Sequence, residues 1–173
     1  MPKKLITSLS ILLLLALFLL YINWHGQALP DDAIADQVLI EKSERRLTLL
    51  REGKVLKQYR VALGKQPVGD KEQEGDRRTP EGEYKLDWRN TGSRYHLSLH
   101  ISYPDRSHTE QARAKGVSPG GDIMIHGLRD GMGWIGKLHR MMDWTNGCIA
   151  VTNPETEEIG RAVRDGTPIK IAP

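Results

Sequence analysis

The chain has 173 residues, 27% of them charged, and a formal net charge of +3 at pH 7. Its 25 lysines and arginines face 22 acidic residues, and two of these cations, Lys3 and Lys4, belong to an N-terminal targeting segment, so 23 remain elsewhere. Nucleic-acid-binding proteins usually carry a concentrated basic face, whereas 23 cations here are balanced by 22 acidic residues, so no nucleic-acid partner is expected.

An apolar segment follows these lysines and predicts targeting to a membrane. Residues 5–22, LITSLSILLLLALFLLYI, carry no charge, and their length lies between a signal-peptide core and a membrane span. We predict that residues 1–28 are a signal peptide, cleaved near Gly26–Ala28, or an uncleaved helix anchored in the inner membrane, followed by a short linker at 29–36. Because acidic residues follow the segment, the positive-inside rule places the protein body on the periplasmic side of the cell envelope.

Residues 37–173 suffice for one domain, and their apolar residues recur mainly at every second position, which indicates β-strands. Strands are predicted in QVLIEKS and in two arms of RLTLLREGKVLKQYRVALG, which join at a turn at Glu52–Gly53. The clearest strand, RYHLSLHISY, alternates: Tyr95, Leu97, Leu99, Ile101 and Tyr103 share one face, and His96, Ser98, His100 and Ser102 the other. The sequences EYKLDW, GGDIMIHG, NGCIAV and TPIKIA complete the predicted strands.

Two short helices are predicted among these strands. SHTEQARAKG has Ser107 and Glu110 at capping-box spacing and Gly116 as a stop signal. NPETEEIGRAVRDG places Asn153 at the N-cap and Pro154 in the first turn. The predicted fold class is therefore mainly β, with two short helices.

Two stretches are expected to lack regular structure. Residues 64–79 contain few apolar groups, and a loop of that length within a compact domain is often functional or mobile. Residues 128–144, LRDGMGWIGKLHRMMDW, mix glycines with tryptophans and methionines, which fits either a lid over a site or ordinary packing. We interpret His139, within this stretch, as a surface residue.

The single cysteine, Cys148, is the strongest chemical signal, because it has no partner for an internal disulfide. His126-Gly127 ends one predicted strand and Gly147-Cys148 opens another, an arrangement that suits a Cys–His pair. About 3% of a thiol with an ordinary pKa is ionised at pH 7, and a neighbouring protonated histidine would make the thiolate dominant. The glycines would let a substrate approach closely and would free backbone amides to stabilise an oxyanion.

The alternatives to a catalytic pair are structural. Free cysteine is among the most buried residue types, so an inert core thiol also fits. A zinc site is disfavoured because one cysteine and scattered histidines lack paired ligand spacing. His96 and His100 are interpreted as solvated or cleft-lining side chains, and Asn153 as a helix cap.

The same residues resemble the L,D-transpeptidase (YkuD-like) catalytic domain family. His126-Gly127, a seventeen-residue gap from Leu128, and then TNGC match the family's two motifs in order, and TPEGEY is similar to its Thr-Pro-x-Gly turn. Two positions depart from the commonest motif, because Asn146 stands where it has a second histidine and Ala150 where it has arginine.

The resemblance implies a β-sandwich or barrel that carries out acyl transfer on peptidoglycan stem peptides without a metal or cofactor. In that family the cysteine, here Cys148, attacks the third residue of a tetrapeptide stem, and the histidine, here His126, moves the proton. The carbonyl of Gly127 would orient that histidine, and amides near Gly147 and Cys148 would bind the oxyanion, with Thr145 and Asn146 shaping the pocket. The acceptor would be a stem amine, a lipoprotein lysine or water. A hydrolase on the same scaffold and a non-catalytic wall-binding module remain alternatives.

Overall fold

The computed structural model describes residues 3–173, with side chains from residue 7 onward. Its helices are α1 (Lys3–Ile22), α2 (Arg106–Ala114), a 3-10 helix (Gly133–Met141) and α3 (Asn153–Ala162). Its strands are β1 (Gln37–Glu41), β2 (Arg46–Arg51), β3 (Lys54–Arg60), β4 (Gly82–Ser93), β5 (His96–Ile101), β6 (Met124–His126), β7 (Ile149–Ala150) and β8 (Thr167–Ala172). The prediction of a mainly β fold is confirmed, and the 3-10 helix is an element that the sequence did not predict.

The eight strands form one curled sheet in the order β3-β2-β1-β8-β4-β5-β6-β7. Most neighbours are antiparallel, but β1 runs parallel to β8, and β6 runs parallel to β7. Beyond β3 the chain crosses to the opposite edge, where Ala62 bridges Ala150 and Gly64 bridges Thr145. The two edges of the sheet therefore meet beside β7, and both edges contribute backbone to the neighbourhood of Cys148.

The period of two in the sequence corresponds to a packed interior. In β8 the residues at positions 167, 169 and 171 are buried and the ones between them are exposed, as expected for a half-buried strand. Fully buried side chains include Ile40, Leu47, Leu49, Leu63, Leu99, Ile101, Ile125, Leu128, Ile149, Ile159, Ile169 and Ile171. Helix α3 closes this core from one side, and Gly160 allows it to approach β5, because a Cβ there would lie 2.7 Å from Leu97 Cδ2.

The predicted hairpin turn is present. Glu52 and Gly53 both have positive φ angles, 51° and 72°, which is the requirement of the type I′ turn that matches the twist of paired strands. Strands β2 and β3 pair across it from Arg51–Lys54 to Arg46–Arg60. The local sequence therefore determined this turn correctly.

Both helix caps lie one or two residues earlier than predicted. Asp105, rather than Ser107, caps α2, and its carboxylate accepts from the His108 amide at 2.8 Å. Thr152, rather than Asn153, caps α3 in a capping box with Glu155. In each case a residue further upstream already has extended backbone and a suitable oxygen, so the helix starts there.

The alternation predicted for RYHLSLHISY is wrong at its start. Strand β5 begins at His96, which has a positive φ of 65°, and the backbone reverses between Ser93 and His96. Tyr95 therefore leaves the core face that Leu99 and Ile101 keep, and it remains 38% exposed. The hairpin, and not the hydrophobic pattern, decides where this aromatic ring points.

The N-terminal region of the described chain contacts the domain. Ile22 is buried, and Asn23 Nδ2 donates to the Trp134 carbonyl at 3.1 Å. Further along, the Ala35 amide donates to the carbonyl of Ala162 at 2.8 Å, so the segment predicted as a linker lies against α3. Among the described residues, no helix combines the length and the apolarity that crossing a membrane requires. Met1, Pro2 and the side chains of residues 3–6, and with them the predicted basic flank, lie outside the described part of the chain.

Candidate active site

Strands β6 and β7 place His126 and Cys148 in one cleft. His126 is the last residue of β6, and Cys148 directly precedes β7. The strands are parallel, with Ile125 opposite Ile149, so residues 124, 126 and 148 face the same side of the sheet. That side is the floor of a cleft of about 620 Å³ that His126 and Cys148 both line.

His126 is fixed in one orientation. Its Nδ1 lies 2.7 Å from the carbonyl oxygen of Gly127, and the side chain is only 5% exposed. Because a carbonyl only accepts, Nδ1 carries the proton, and Nε2 is left as the basic nitrogen of the neutral ring. Gly127 is required for this arrangement, since a Cβ there would lie 2.7 Å from Asn153 Oδ1.

The electrostatics of the pair favour neutral groups in the resting site. Burial raises the pKa of the Cys148 thiol; an amide hydrogen bond from Met124 opposes this only in part. Burial also lowers the pKa of His126, against the raising effect of its bond to Gly127. Both shifts oppose the thiolate–imidazolium pair expected from the sequence, which stays a prediction. A neutral imidazole suits a base that takes the thiol proton as the thiol attacks.

The TNGC turn is held by Thr145. Its Oγ1 donates to the Cys148 carbonyl at 2.7 Å and accepts from the Gly147 amide at 3.1 Å. The Gly147 amide is thus engaged within the turn, whereas the sequence proposed it as an oxyanion donor. Thr145 is buried and structural here, while Asn146 is exposed and lines the cleft.

The 64–79 loop packs against Gly147, next to Cys148. Gly147 has a φ of +131°, and a Cβ there would lie 2.8 Å from the carbonyl oxygen of Arg78. The loop is itself tied down, because buried Lys71 donates to Asp76 at 2.8 Å, and the Asp76 carboxylate accepts from the amide of Arg78 at 3.0 Å. This predicted irregular stretch therefore forms an ordered wall behind Cys148.

Two aromatic side chains contact His126, and the sequence reasoning missed their place in the site. The Tyr95 ring lies 4.8 Å from the imidazole centroid, and the Trp144 ring lies 5.7 Å from it, edge to face. Trp144 was noted only within the possible lid. Its position four residues before Cys148 is the signal that points to the site.

His139 is buried, so its interpretation as a surface residue is wrong. It is 5% exposed, and its Nδ1 accepts a long hydrogen bond of 3.4 Å from Trp144 Nε1. Burial, and then the charge of Arg140, lowers its pKa to about 4. His139 therefore backs the indole that packs on His126, and it does not line the cleft beside the thiol.

The segment 128–144 contains the 3-10 helix, which non-helical backbone at Gly136 interrupts, and the segment is tied to α3. Arg140 forms an ion pair with Glu155, and both side chains are largely buried. Asn153 Oδ1 accepts from the Leu128 amide at 2.7 Å, so Asn153 anchors this segment and does not cap α3. The outer face of the segment is exposed, with Trp134, Met141 and Met142 at 61%, 80% and 69%.

His96 and His100, on β5, pair with carboxylates. His96 Nε2 pairs with Glu157 Oε1 at 2.7 Å, away from the cleft. His100 Nδ1 pairs with Asp87 Oδ1 at 2.6 Å on the floor of the sheet. Both are therefore held by carboxylates, which agrees with the non-catalytic interpretation.

Comparison with known proteins identifies a family whose model matches most of the chain. The family model described as the L,D-transpeptidase catalytic domain (YkuD) matches residues 35–171. No curated protein sequence matches the chain significantly.

Solved structures of similar fold include the helical cell shape determining protein Pgp2 of Campylobacter jejuni, at 27% identity and a TM-score of 0.61, over 90% of this chain and 54% of that one. Bd1075 of Bdellovibrio bacteriovorus has 23% identity and a TM-score of 0.53, over 84% of this chain and 50% of that one. An L,D-transpeptidase of Xylanimonas cellulosilytica shares the fold at 14% identity and a TM-score of 0.51, over 84% of this chain and 64% of that one. The chain spans half to two thirds of the length of these structures. With the family model covering residues 35–171, the chain belongs to the L,D-transpeptidase catalytic domain family.

Proposed function

We propose that this protein is a cysteine acyltransferase acting on peptidoglycan stem peptides. The observation that carries the proposal is the shared cleft of Cys148 and His126, with the basic nitrogen of the histidine defined by the Gly127 carbonyl. A nucleophile, a base and a group that orients the base are the three parts that covalent acyl transfer needs. Membership of the family supports the same chemistry.

In the first step, the Cys148 sulfur attacks the carbonyl carbon of the third residue of a tetrapeptide stem. The thiol proton passes to His126 Nε2 as the carbon–sulfur bond forms, which avoids a free thiolate in a site that raises the thiol pKa. His126 then returns the proton to the departing D-alanine amine as the carbon–nitrogen bond breaks. The product is a thioester on Cys148.

The oxyanion of this step requires amide donors near the thiol. The Gly147 amide donates to Thr145 Oγ1, so we propose the Cys148 amide as the donor. Asn146, exposed at the cleft, is proposed to contact the substrate through its amide group. Its lack of a basic nitrogen leaves proton transfer to His126.

In the second step, an amine or water attacks the thioester carbonyl. His126 Nε2 takes the proton of the attacking group and returns it to the Cys148 sulfur as the carbon–sulfur bond breaks, which restores the thiol. A stem amine gives a 3→3 cross-link, a lipoprotein lysine gives an attached lipoprotein, and water gives a shortened stem. We propose transfer to a stem amine as the main reaction, and hydrolysis as the alternative outcome. A wall-binding module without activity would need neither Cys148 nor His126.

Product analysis tests this proposal directly. Tetrapeptide-bearing muropeptides are incubated with the full chain and with a Cys148→Ala control, and the products are identified by mass spectrometry. Cross-linked dimers with loss of D-alanine are expected from the wild type only. Tripeptides without dimers would show that the reaction is hydrolysis and not transfer. Unchanged tetrapeptides would contradict the proposal that the protein is an enzyme.

We further propose that residues 1–28 direct residues 37–173 across the inner membrane, as a signal peptide or anchor. Peptidoglycan lies on the far side of that membrane, so export brings the cleft to its substrate. The similarity to a protein named for determining helical cell shape supports a role of the proposed reaction in wall architecture and cell shape.

A further inference from the structure

An exposed tryptophan stands in the wall of the cleft, outside the reacting groups. Leu86 pairs with Ile101 and Arg89 with Leu99, so two residues of β4, Asp87 and Trp88, lie opposite one residue of β5. A bulge of this kind re-aims side chains. It brings Trp88 into the cleft lining while leaving it 42% exposed.

The indole of Trp88 is held in a fixed position. One face stacks on the His100 ring, with a centroid separation of 4.8 Å and an angle of 17° between the planes. His100 is itself fixed by its 2.6 Å contact with Asp87. The indole is thus an apolar plate supported from behind, which lowers the entropic cost of binding a ligand on its open side.

The sheet register gives the distance from this plate to the nucleophile. His100 lies opposite Met124, and continuation of the β6–β7 register places Met124 opposite Cys148. Neighbouring strands are about 4.8 Å apart, so the backbones at Trp88 and Cys148 are separated by three spacings, or ~14 Å. Three extended residues span roughly 10–11 Å. A stem peptide whose third carbonyl lies at Cys148 therefore places the group bonded to its first residue at Trp88.

The position of Arg77 supports one orientation of the stem relative to Trp88. A second cleft of about 450 Å³ adjoins the first on the far side of the thiol, and Asp122 and Asn146 line both. It is lined by two cations, Lys71 and Arg77, and by two carboxylates, Glu74 and Asp122. Lys71 pairs with Asp76 at 2.8 Å, and no ion pair of Arg77 is found among the described side chains, residues 7–173. A cation there suits the carboxylate of the D-alanine end. The opposite, sugar-bearing end then runs toward Trp88.

We propose that Trp88 binds the glycan strand of peptidoglycan, by stacking the apolar C–H face of the first sugar ring on its indole. A sugar ring has an apolar face and a polar rim, which matches the apolar body of tryptophan beside polar neighbours. Asn90 and Arg94 line the same cleft and supply those neighbours. This inference rests on the proposed function and adds that the substrate is recognised with its sugar attached.

Two substrates that differ only in the sugar test the inference. D-alanine release is measured for a disaccharide-tetrapeptide and for the same tetrapeptide without sugar, using the full chain. Trp88→Ala should lower kcat/KM for the first by about tenfold, the size of a lost stacking contact, and change it for the second by less than twofold. Trp88→Phe should keep part of the preference. Trp134→Ala removes an exposed tryptophan outside the cleft and should have no effect on either.

The other outcomes distinguish failure of the sugar-binding proposal from failure of the proposed function. Equal losses on both substrates, with thermal unfolding unchanged, would mean that Trp88 contacts the peptide and not the sugar. If the wild type turns over neither substrate, the proposed function fails. Calorimetric binding of both ligands to Cys148→Ala then decides the sugar question: a preference for the disaccharide-peptide that Trp88→Ala abolishes supports the inference, and no preference overturns it.

Discussion

At the scale of single residues, the arrangement of His126 defines what the site can do. The imidazole is buried, carries its proton on Nδ1 toward Gly127, and has a pKa below its usual range. Cys148 has a thiol pKa above its usual range for the same reason, burial. In the proposed reaction this favours proton transfer during attack, because storing separated charges in a low-dielectric cleft would cost more.

The first prediction concerns His126→Gln. We expect kcat for D-alanine release to fall by roughly 10²–10⁴-fold, the usual contribution of a general base. The pH midpoint of iodoacetamide alkylation should lie above the pKa of a free thiol, which is near 8.5, in both the wild type and the variant. His96→Asn, at a histidine outside the cleft, is the control and should retain turnover. A wild-type alkylation midpoint well below 8 would contradict the neutral pair.

The second prediction concerns His139 and stability. Its pKa in the folded protein is about 4, below the 6.5 of an unfolded histidine. In the window between these values the unfolded chain binds a proton that the folded chain does not, so stability is complete above pH 6.5 and falls as the pH drops toward 4. Between pH 7 and 5 this loss should be about 2 kcal/mol from His139 alone, and His126 adds to it in the same direction.

Urea unfolding at pH 7, 6 and 5 measures this loss. The range stays above pH 5 because carboxylates such as Glu155 begin to titrate below it. His139→Gln should flatten the dependence of the unfolding free energy on pH, whatever its effect on stability at pH 7. His96→Asn should leave the slope as in the wild type. An unchanged slope in His139→Gln would show that this ring is protonated or accessible in the folded protein.

At the scale of elements, the 128–144 segment and α3 behave as one unit. Burial alone would raise the pKa of Glu155, but the hydrogen bond and charge of Arg140 outweigh it and lower that pKa. The same carboxylate accepts from the Thr152 amide at 3.0 Å and from Thr152 Oγ1 at 2.8 Å. One side chain therefore caps α3 and fastens the 3-10 helix behind Trp144.

The third prediction is that Arg140→Ala destabilises the fold by about 3–5 kcal/mol at pH 7, because it leaves the Glu155 carboxylate buried without its partner. Hydrogen exchange should become faster across residues 128–144 before it does in β1 or β8. Arg129→Ala, at an exposed cation of the same segment, should cost less than about 0.5 kcal/mol. A similar small cost for both variants would show that the ion pair is not formed in solution.

At the scale of the whole molecule, the curl of the sheet brings together segments far apart in sequence. The chain after β3 bridges to the residues around Cys148, and the 64–79 loop closes against Gly147. Cys148 therefore lies where both sheet edges and the loop converge, while the proposed reacting groups, Cys148 and His126, lie at the ends of β6 and β7.

The fourth prediction is that this molecule works outside the cytoplasm. A membrane-impermeant thiol reagent should label Cys148 in osmotically opened cells with an intact inner membrane. Cys148→Ala, which removes the chain's one thiol, is the control for background labelling. Labelling that appears only after lysis of the inner membrane would place the domain in the cytoplasm.

The sequence by itself determined most strands, the two short helices and the family. The period of two located the strands and Glu52-Gly53 located the hairpin turn, because both depend on neighbours in the chain. The family followed from the resemblance of His126-Gly127 and TNGC to its two motifs. The helix caps were displaced by one or two residues, since several polar side chains competed for the same amides.

Only the tertiary structure decided the environment of those residues. His139 looked like a surface histidine between two cations, yet the 3-10 helix turns it inward against Trp144. Tyr95 left the core face because a hairpin reversed the backbone before β5, and a bulge turned Trp88 toward the cleft. Burial of His126 and Cys148 then shifted both pKa values toward neutral groups. Burial and facing are set by segments that meet only on folding, and no local pattern records which segments those are.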